Sequence, residues 1–382
     1  MDIIENVFHV LGGGDTIGTS CYYLQVDECA FLLDCGANIH QKPHLPALQD
    51  ITNHYLDGIW QLDNVIISHG HFDHFGALPY LLNGEYNLSI LCNPITNLLI
   101  KLQLNEMSKW QNIFHSKRQQ QQYTLQKDRS LTMLKSWAFN QRYQGKNYAI
   151  TLYPAGHIPG ASMVYIETAK HRILYTGDFS KQNDLLCGTY NLPKNLPVDI
   201  LIIEGTHAYG NFCPNNQQGY MNIADLVNEN LAYNSVTLEV TNITKGIELA
   251  RFLAKYFNDT MTTPPKIYLD EVMSPIVDTF EEANFQVYSE QIRPLIDDWQ
   301  TDKAIFIKRK GKGKNFGTIL NGDMFTLHAS SSDLVNLINT IQATTTLIVH
   351  ARPNGLACIM PMIDIGNKLC LQTKDNEAYR FK

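Results

Sequence analysis

The sequence predicts an α/β protein of two lobes, and three observations support this class. The N-terminal part alternates β-branched runs with glycine turns, which is typical of short strands joined by tight connections. Residues 94–146 change to segments rich in Gln, Lys and Leu, which favour amphipathic helices laid over a sheet. After about residue 206, strands alternate with amphipathic helices, the pattern of a parallel α/β unit. With 382 residues, 44% of them hydrophobic, the chain can bury one large core or two moderate ones.

The strands of the first lobe can be followed in order along the chain. The predicted strands before residue 94 lie in "NVFHVLGGG", "SCYYLQV", "CAFLLDCG" and "DNVIISHG". In the helical stretch that follows, "KRQQQQ" is either a solvated helix face or a connecting loop. Strands resume in "YAITLYPAGH", "SMVYIET", "RILYTGD" and "DILIIEG". Each of these runs ends in polar or glycine residues, so we expect the functional side chains at the strand ends.

The second lobe and the tail have their own patterns. The strands "SVTLEV", "KIYLD" and "KAIFIK" alternate with the helical segments "TKGIELARFLAKYF" and "SPIVDTFEEANF". From about residue 325 the sequence predicts a strand in "MFTLHA", a helix in "SSDLVNLINTIQA" and a strand in "TTLIVHA". Both of these predicted strands end in a histidine.

Composition restricts the location and the partners. The net charge is −7, so a nucleic acid must be held by a local basic patch, because the overall field repels it. The first residues are acidic where an export signal needs lysine or arginine, and no apolar run approaches the length of a membrane span. The cysteines have no CxxC spacing, which favours reduced thiols. We therefore expect a cytoplasmic protein without a membrane partner. The eight cysteines are Cys21, Cys29, Cys35, Cys92, Cys187, Cys213, Cys358 and Cys370.

A dense cluster of possible metal ligands lies in "ISHGHFDHFGALPYL", residues 67–81. Imidazole nitrogens and carboxylate oxygens are ligands of a borderline cation such as zinc. Alternation along the turn lets His69 and His71 face one way while Asp73 and His74 face another, so one turn can serve two metal ions. The alternative is a solvated histidine-rich loop, but a strand precedes the cluster and "FGALPYLL" predicts a helix after it.

Two metal ions need more ligands than this turn supplies. His157 in "YPAGHIPGAS", Asp178 in "YTGDFS" and His350 in "LIVHARP" each follow a predicted strand. A single histidine in such a place is more often a core or surface residue than a ligand. Together, and in this order, the three are candidates to complete a two-metal site.

Here the sequence resembles a known family. "LGGGDTIGTSCYYLQV…FLLDCG", "SHGHFDHFGALPYL", "PAGHIPGAS" and "YTGDFS" resemble, in order and spacing, the first four motifs of the metallo-β-lactamase fold. The continuation resembles the β-CASP nucleases, which include bacterial RNase J and the pre-mRNA 3′-end endonuclease. The resemblance implies an αββα sandwich with an inserted α/β, β-CASP-like domain. We expect the sandwich in residues 1–205 and 325–382 and the inserted domain in residues 206–324.

The resemblance also implies roles for individual residues. His69, His71 and His157 would hold one metal, and Asp73, His74 and His350 the other, with Asp178 bridging the two. Two Zn²⁺ ions are expected, with Mn²⁺ as the alternative. Such a pair of ions activates a water and stabilises both the attacking and leaving oxygens of a phosphodiester.

Three further residues have implied roles outside the direct ligands. His328 resembles the family's general acid, and Glu204 would hold it in place and raise its pKa. The alternative for Glu204 is an ordinary acid at a strand end. Asp34 in "LLDCG" would accept an N–H from a ligand histidine. Asp73 counts among the catalytic residues as well as among the ligands.

The chain also departs from the family pattern. The inserted lobe is shorter than usual, its Ser-Gly-Met and double-glycine element is missing, and Ala351 and Arg352 stand where the family often has Gly-Glu. In "IKRKGKGKN", the cations Lys308, Arg309 and Lys310 are candidates to bind phosphates, and the alternative is a solvated loop.

The function favoured by these residues is cleavage of RNA by a metal-dependent phosphodiesterase, in RNA processing or decay. The alternatives are a single-stranded DNA nuclease, a small-molecule ester, thioester or phosphodiester hydrolase of the same fold, and an inactive nucleic-acid-binding scaffold. His328 and the inserted lobe favour the nuclease over the simple hydrolase. The filled ligand positions argue against the scaffold. RNA is the expected partner, and the oligomeric state is left open.

Overall fold

The structure is a computed structural model that describes residues 6–38, 44–81, 88–108, 116–181, 185–209, 216–296, 303–364, 366 and 368–381. Cys213 lies outside the described residues. The chain divides into two compact units. The first unit is made of Met1–Lys181, Tyr190–Phe212 and His328–Lys382, and the second of Gln182–Thr189 and Cys213–Leu327.

The first unit begins with a sheet and the helices that cover it. The first three strands pair antiparallel, and the next three continue the sheet in parallel. The strands are β1 (Asn6–Gly12), β2 (Cys21–Val26), β3 (Cys29–Leu33), β4 (Asn64–Ile67), β5 (Ile90–Cys92) and β6 (Leu134–Ser136). The helices are α1 (Gln49–His54), α2 (Phe72–Phe75), α3 (Leu78–Leu81), α4 (Pro94–Ser108) and α5 (Lys117–Met133). The "KRQQQQ" segment opens α5, where Ser116 caps the helix, and its side chains form a largely solvated face.

A second sheet of the same unit follows. Its strands are β7 (Arg142–Gln144), β8 (Ala149–Pro154), β9 (Ser162–Glu167), β10 (Arg172–Tyr175) and β11 (Ile200–Glu204). Strands β7 to β10 form an antiparallel meander, whereas β10 and β11 run parallel. The carboxyl ends of β10 and β11 therefore meet at one edge of this sheet.

The second unit is a parallel α/β layer of five strands in the order β14-β13-β15-β12-β16. Its amphipathic helix α7 packs on β13 and β15, as expected for crossover connections between parallel strands. The elements are α6 (Asn216–Leu231), β12 (Val236–Val240), α7 (Ile243–Thr260), β13 (Lys266–Leu269), α8 (Ser274–Glu282), β14 (Ile292–Pro294), β15 (Ala304–Arg309) and β16 (Thr318–Asn321).

The C-terminal segment completes both sheets of the first unit. It contains α9 (Ser331–Ile341), β17 (Thr345–Val349), α10 (Gly355–Ile359), β18 (Leu369–Gln372) and β19 (Ala378–Phe381). Strand β17 inserts between β11 and β18, and β19 pairs with β1. The sheets thus have the orders β19-β1-β2-β3-β4-β5-β6 and β18-β17-β11-β10-β9-β8-β7.

One predicted strand is wrong. The "MFTLHA" segment, residues 324–329, has no regular structure. Its backbone is held by single contacts instead of a ladder: the Asn216 side chain bonds both the N–H and the carbonyl of Thr326. The Ala329 N–H donates to the Phe179 carbonyl at 2.7 Å. These contacts satisfy the backbone groups that a strand would have paired.

Alternating side chains build the core of the first unit. Phe8, Tyr22 and Phe31 face the second sheet and pack with Ile150 and Val164 on it. Their neighbours along the strands face the covering helices, where the other apolar cluster forms. Helix α9 packs on β11 at the outer side of the second sheet. The predicted αββα sandwich is confirmed. Among the described residues, no helix is both long and apolar enough to cross a membrane.

Candidate metal centre

The candidate ligands follow strands whose ends meet at one edge of the sandwich. The cluster His69 to His74 follows β4 and continues into α2, while His157 follows β8. Asp178 follows β10 and His350 follows β17, and both strands run parallel to β11. Side chains beyond the carboxyl ends of neighbouring parallel strands lie close together, which is the usual place of a binding site in such sheets.

Three of the site residues lie at sharp backbone turns, which orient their side chains. Asp34, His157 and His350 have left-handed conformations with φ of 56°, 58° and 49°. Non-glycine residues seldom adopt this conformation, and it costs about 1–3 kcal/mol when surrounding contacts impose it. Such conformations cluster at functional sites, because the fold has to hold the side chains in one direction.

The first cluster joins His69, His71, His157 and Asp178. The Nδ1 atom of His71 lies 3.1 Å from Nε2 of His69 and 3.1 Å from Nε2 of His157. Asp178 Oδ2 lies 3.7 Å and 3.9 Å from the same two Nε2 atoms. Burial lowers the pKa of His71 to about 4 and that of His69 well below its usual value. The lowered pKa values favour neutral imidazoles at His69 and His71, as metal ligands must be.

The second cluster joins Asp73, His74 and His350. Asp73 Oδ2 lies 3.9 Å from Nε2 of both histidines. The two imidazole rings stack with their centroids 5.1 Å apart. Asp178 reaches this cluster too, because its Oδ2 lies 3.4 Å from His74 Nε2 and its Oδ1 lies 3.5 Å from His350 Nδ1. One carboxylate thus touches both groups of histidines.

Two buried atoms indicate that a cation belongs here. Within the described part of the chain, His74 Nε2 and Asp178 Oδ1 have no hydrogen-bond partner. An unsatisfied buried polar atom costs about 1–3 kcal/mol, so two of them on neighbouring side chains need an explanation. The donor set of imidazole nitrogens and carboxylate oxygens suits borderline cations. These residues therefore fit metal ions, and each of the two clusters could hold one.

The electrostatics agree with this interpretation. Burial alone lowers the pKa of His74, but the carboxylates of Asp178, Asp34 and Asp73 raise it well above its usual value. Burial alone raises the pKa of Asp178, but His350 and His74 hold it well below its usual value. The pocket therefore attracts positive charge strongly, and a metal cation can supply that charge in place of a proton.

Asp34 contacts the second cluster through His74. This fully buried carboxylate accepts hydrogen bonds from the Ser68 N–H and hydroxyl, each at 2.7 Å, and from the Tyr175 hydroxyl at 2.5 Å. His74 Nδ1 lies 2.7 Å from the same carboxylate. If Nδ1 carries the proton, Nε2 of His74 is left as the lone pair that faces the cluster.

Glycine 36 explains how the Asp34 strand end can approach α2 so closely. A Cβ atom at Gly36 would lie 1.7 Å from the carbonyl oxygen of Asp73. The Cys35 N–H donates to the carbonyl of His74 at 2.8 Å, which docks the short helix onto this loop. The "DCG" motif thus combines the acid that orients His74 with the glycine that makes room for the ligand helix.

His328 and Glu204 form a pair beside the metal clusters. His328 Nδ1 lies 3.2 Å from Glu204 Oε2, and the His328 ring lies 4.5 Å from that of His157. The buried Glu204 is fixed by the Phe179 N–H, which donates to Oε1 at 2.9 Å. Burial alone lowers the pKa of His328, but Glu204, with Asp178 and Asp73, raises it to about 9. The side chain of His328 is 23% exposed, so a substrate can reach it.

The predicted basic loop lies in the second unit. It differs from an open cationic loop at Lys308, which is buried and paired. Lys308 is 4% exposed, its Nζ lies 3.1 Å from Glu239 Oε1, and it donates to the carbonyl of Lys312 at 2.7 Å. Arg309 is half-buried and Lys310 is exposed. Lys308 lies in strand β15 and its charge is already paired, so it does not offer a free cation to phosphate.

Several residues near the site were not predicted from the sequence. The Ser20 hydroxyl lies 3.0 Å from His350 Nδ1, and the ring of His207 lies 5.9 Å from that of His328. Arg352 stacks on Tyr209. Ser20 gave no signal in the sequence. Arg352 gave one, because it replaces the acidic residue that often follows in the family.

These features can be compared with those of known proteins. A profile described as the metallo-beta-lactamase superfamily domain matches residues 23–197. The endoribonuclease ysh-1 of Neurospora crassa is 29% identical over 212 residues, which are 55% of this chain and 24% of that protein. The probable RNase MJ4 of Methanocaldococcus jannaschii is 28% identical over 263 residues, which are 68% of this chain and 58% of that protein. The chain thus spans about a quarter of the fungal relative.

One solved structure has the same overall fold. The crystal structure of a protein of unknown function from Enterococcus faecalis matches with a TM-score of 0.63 and 15% identity, over 99% of this chain and 100% of that chain. At this identity the likeness shows the fold alone. The profile, the relatives and the fold agree with the metallo-β-lactamase motifs in the sequence. Residues 23–197 therefore match the metallo-β-lactamase superfamily domain, and over about half to two thirds of its length this chain is similar to proteins named as an endoribonuclease and a probable RNase.

Proposed function

We propose that this protein is a two-metal phosphodiesterase that cleaves RNA. The observation that carries the proposal is the His328–Glu204 pair, which lies 3.2 Å apart beside two clusters of metal-ligand type. Hydrolysis of an activated ester needs no general acid, whereas a sugar oxygen leaves poorly unless it is protonated. A protonated imidazole at this place is therefore best explained by a phosphodiester substrate.

The metal ions are proposed to be two Zn²⁺, with Mn²⁺ as the alternative. His69, His71 and His157 would hold one, and Asp73, His74 and His350 the other. Asp178 would serve both, because its carboxylate lies within 3.9 Å of histidines in each cluster. When bound, such a pair of ions activates water and stabilises charge on the phosphoryl group.

The protein's own groups would divide the remaining work. Nδ1–H of His328 would donate a hydrogen bond to Glu204. The opposite ring nitrogen, Nε2, would then carry the proton that is given to the leaving oxygen. Asp34 fixes the orientation of His74. Asp73, whose side chain is 33% exposed, lies on the solvent side of the ligand set, where the incoming substrate would contact it.

RNA is proposed as the substrate because the relatives include an endoribonuclease and a probable RNase. Single-stranded DNA is the alternative polymer. We propose that residues 206–324 are a shortened β-CASP-like domain, on whose basic loop Arg309 and Lys310 contact phosphates. A role in RNA processing or decay and a cytoplasmic location remain predictions.

The test compares matched RNA and DNA strands of equal sequence. Purified protein with its metals restored is expected to cleave the RNA, and a chelator is expected to abolish cleavage until zinc or manganese is returned. Asp178→Ala is the inert control, because it removes the carboxylate shared by both clusters. Cleavage of DNA alone would replace the substrate, and hydrolysis of nitrophenyl esters without cleavage of either polymer would favour the small-molecule hydrolase. Chelator-resistant cleavage of RNA would contradict the proposal.

A further inference from the structure

A guanidinium stacked on a tyrosine is linked to His328 through one histidine ring and has no part in the metal clusters. The Arg352 guanidinium carbon lies 4.7 Å from the centroid of the Tyr209 ring. Arg352 is exposed and Tyr209 is half-buried. Among the residues that the structure describes, no Asp or Glu forms an ion pair with Arg352. We propose that Arg352 and Tyr209 form a nucleotide-binding subsite that stacks on a base and binds the adjoining phosphate of a single-stranded nucleic acid. This proposal depends on the proposed phosphodiesterase function.

The subsite is connected to His328 by a row of rings. The His207 ring lies 5.9 Å from that of His328 and 6.1 Å from that of Tyr209. His328, His207 and Tyr209 thus lead from the candidate general acid to an exposed guanidinium. Because His328 would protonate the leaving oxygen, the nucleotide that lies along this row belongs to the leaving strand.

Tight packing holds the two halves of the subsite together. A Cβ atom on Gly205 would lie 2.8 Å from Cβ of Ala351, so only glycine lets the turn after β11 pack against the turn after β17. The Gly205 N–H donates to the Val349 carbonyl at 2.8 Å. The Arg352 carbonyl accepts from the Gln372 side chain at 2.6 Å. The backbone at Arg352 is therefore fixed before any ligand arrives, which lowers the entropic cost of binding.

The chemistry of the pair suits a nucleotide. Aromatic rings and guanidinium planes stack on bases of any sequence, and a guanidinium binds phosphate oxygens in a planar, bidentate manner. The protein carries a net charge of −7, so a polyanion has to be held by local cations of this kind.

The test compares Arg352→Ala with Arg172→Ala. Arg172 is also exposed, but it lies at the first residue of β10, the strand end opposite to Asp178. The substrates are a labelled single-stranded oligoribonucleotide and bis(p-nitrophenyl) phosphate, which has no base. Arg352→Ala is expected to lower kcat/KM on the oligonucleotide about tenfold or more, while hydrolysis of the small diester and metal content stay unchanged. The salt dependence of binding should fall by about one phosphate contact. Arg172→Ala should behave as wild type.

A second variant separates charge from stacking and also serves if Arg352→Ala does not fold. Arg352→Lys keeps the charge but loses the planar stack, so the salt dependence should be retained while affinity for the oligonucleotide falls. Wild-type cleavage with unchanged affinity and salt dependence in both Arg352 variants would overturn the subsite and leave the nuclease intact. Equal losses on both substrates would also overturn it, because the small diester has no adjoining phosphate for the subsite to bind. A wild-type protein that hydrolyses the small diester but neither binds nor cleaves the oligonucleotide would overturn the proposed function itself.

Discussion

The strongest prediction concerns the proton that His328 would give to the leaving oxygen. His328 lies 3.2 Å from Glu204, and although burial lowers the pKa of His328, the carboxylate raises it to about 9, which favours the protonated ring. General acid catalysis contributes about 10²–10⁴ in rate. His328→Ala should therefore lose on the order of a hundredfold or more on RNA, or about 2.7 kcal/mol of transition-state stabilisation.

The assay compares RNA with a nitrophenyl phosphodiester, whose leaving group is a stable anion. On the activated diester, His328→Ala should keep most of its activity and all of its metal, because no ligand has been removed. Glu204→Gln should give a milder form of the same selective defect, because Gln can still accept a hydrogen bond from Nδ1 of His328 but no longer raises the pKa of His328, so less of the ring is protonated. Equal losses of His328→Ala on both substrates, with metal retained, would show that His328 binds or positions the substrate. If neither variant distinguishes the substrates, the small-molecule hydrolase becomes the better explanation.

Two further predictions concern acids, the buried Asp34 and the partly buried Asp27. Asp34→Asn should weaken metal affinity about 10- to 100-fold, because His74 loses the carboxylate that orients it. Competition with a chromophoric chelator measures this affinity. Unchanged affinity would refute the role of Asp34. Asp27 lies 3.0 Å from His171, and although burial alone raises its pKa, hydrogen bonds from His171 and Thr168 and from the Lys170 N–H lower it. A carboxylate whose pKa is lower in the folded than in the unfolded protein stabilises the fold at pH values above its unfolded pKa. This stabilisation is lost as the pH falls through the folded pKa. Asp27→Asn should therefore cost about 1 kcal/mol at pH 7 in urea unfolding, and the deficit should shrink below about pH 4. A deficit that persists undiminished to pH 3 would contradict this.

Much of the fold could be predicted because its elements carry local patterns. The continuous runs of buried residues in "SCYYLQV" and "CAFLLDCG" and the helical period of "TKGIELARFLAKYF" each depend on contacts that repeat along one element. The failure at residues 324–329 has the opposite cause. The segment has an apolar character that suits a strand, but the backbone groups at Thr326 and Ala329 are satisfied by a side chain and by a distant carbonyl, and no sequence pattern records those partners.

The sequence by itself determined the types of residue at the site, because ligand chemistry depends on side-chain identity. The candidate ligands recognisable from the sequence alone were those in "SHGHFDH", together with His157, Asp178 and His350. Only the tertiary structure decided which atoms meet. It placed the carboxylate of Asp178 against both histidine clusters. It also paired Lys308 with Glu239, so that one expected phosphate ligand is already neutralised. Arg352 came against Tyr209 because β11 and β17, distant in the chain, are neighbours in the sheet. The physical reason is that charge pairing and stacking act over a few ångströms of space, whatever the separation along the chain.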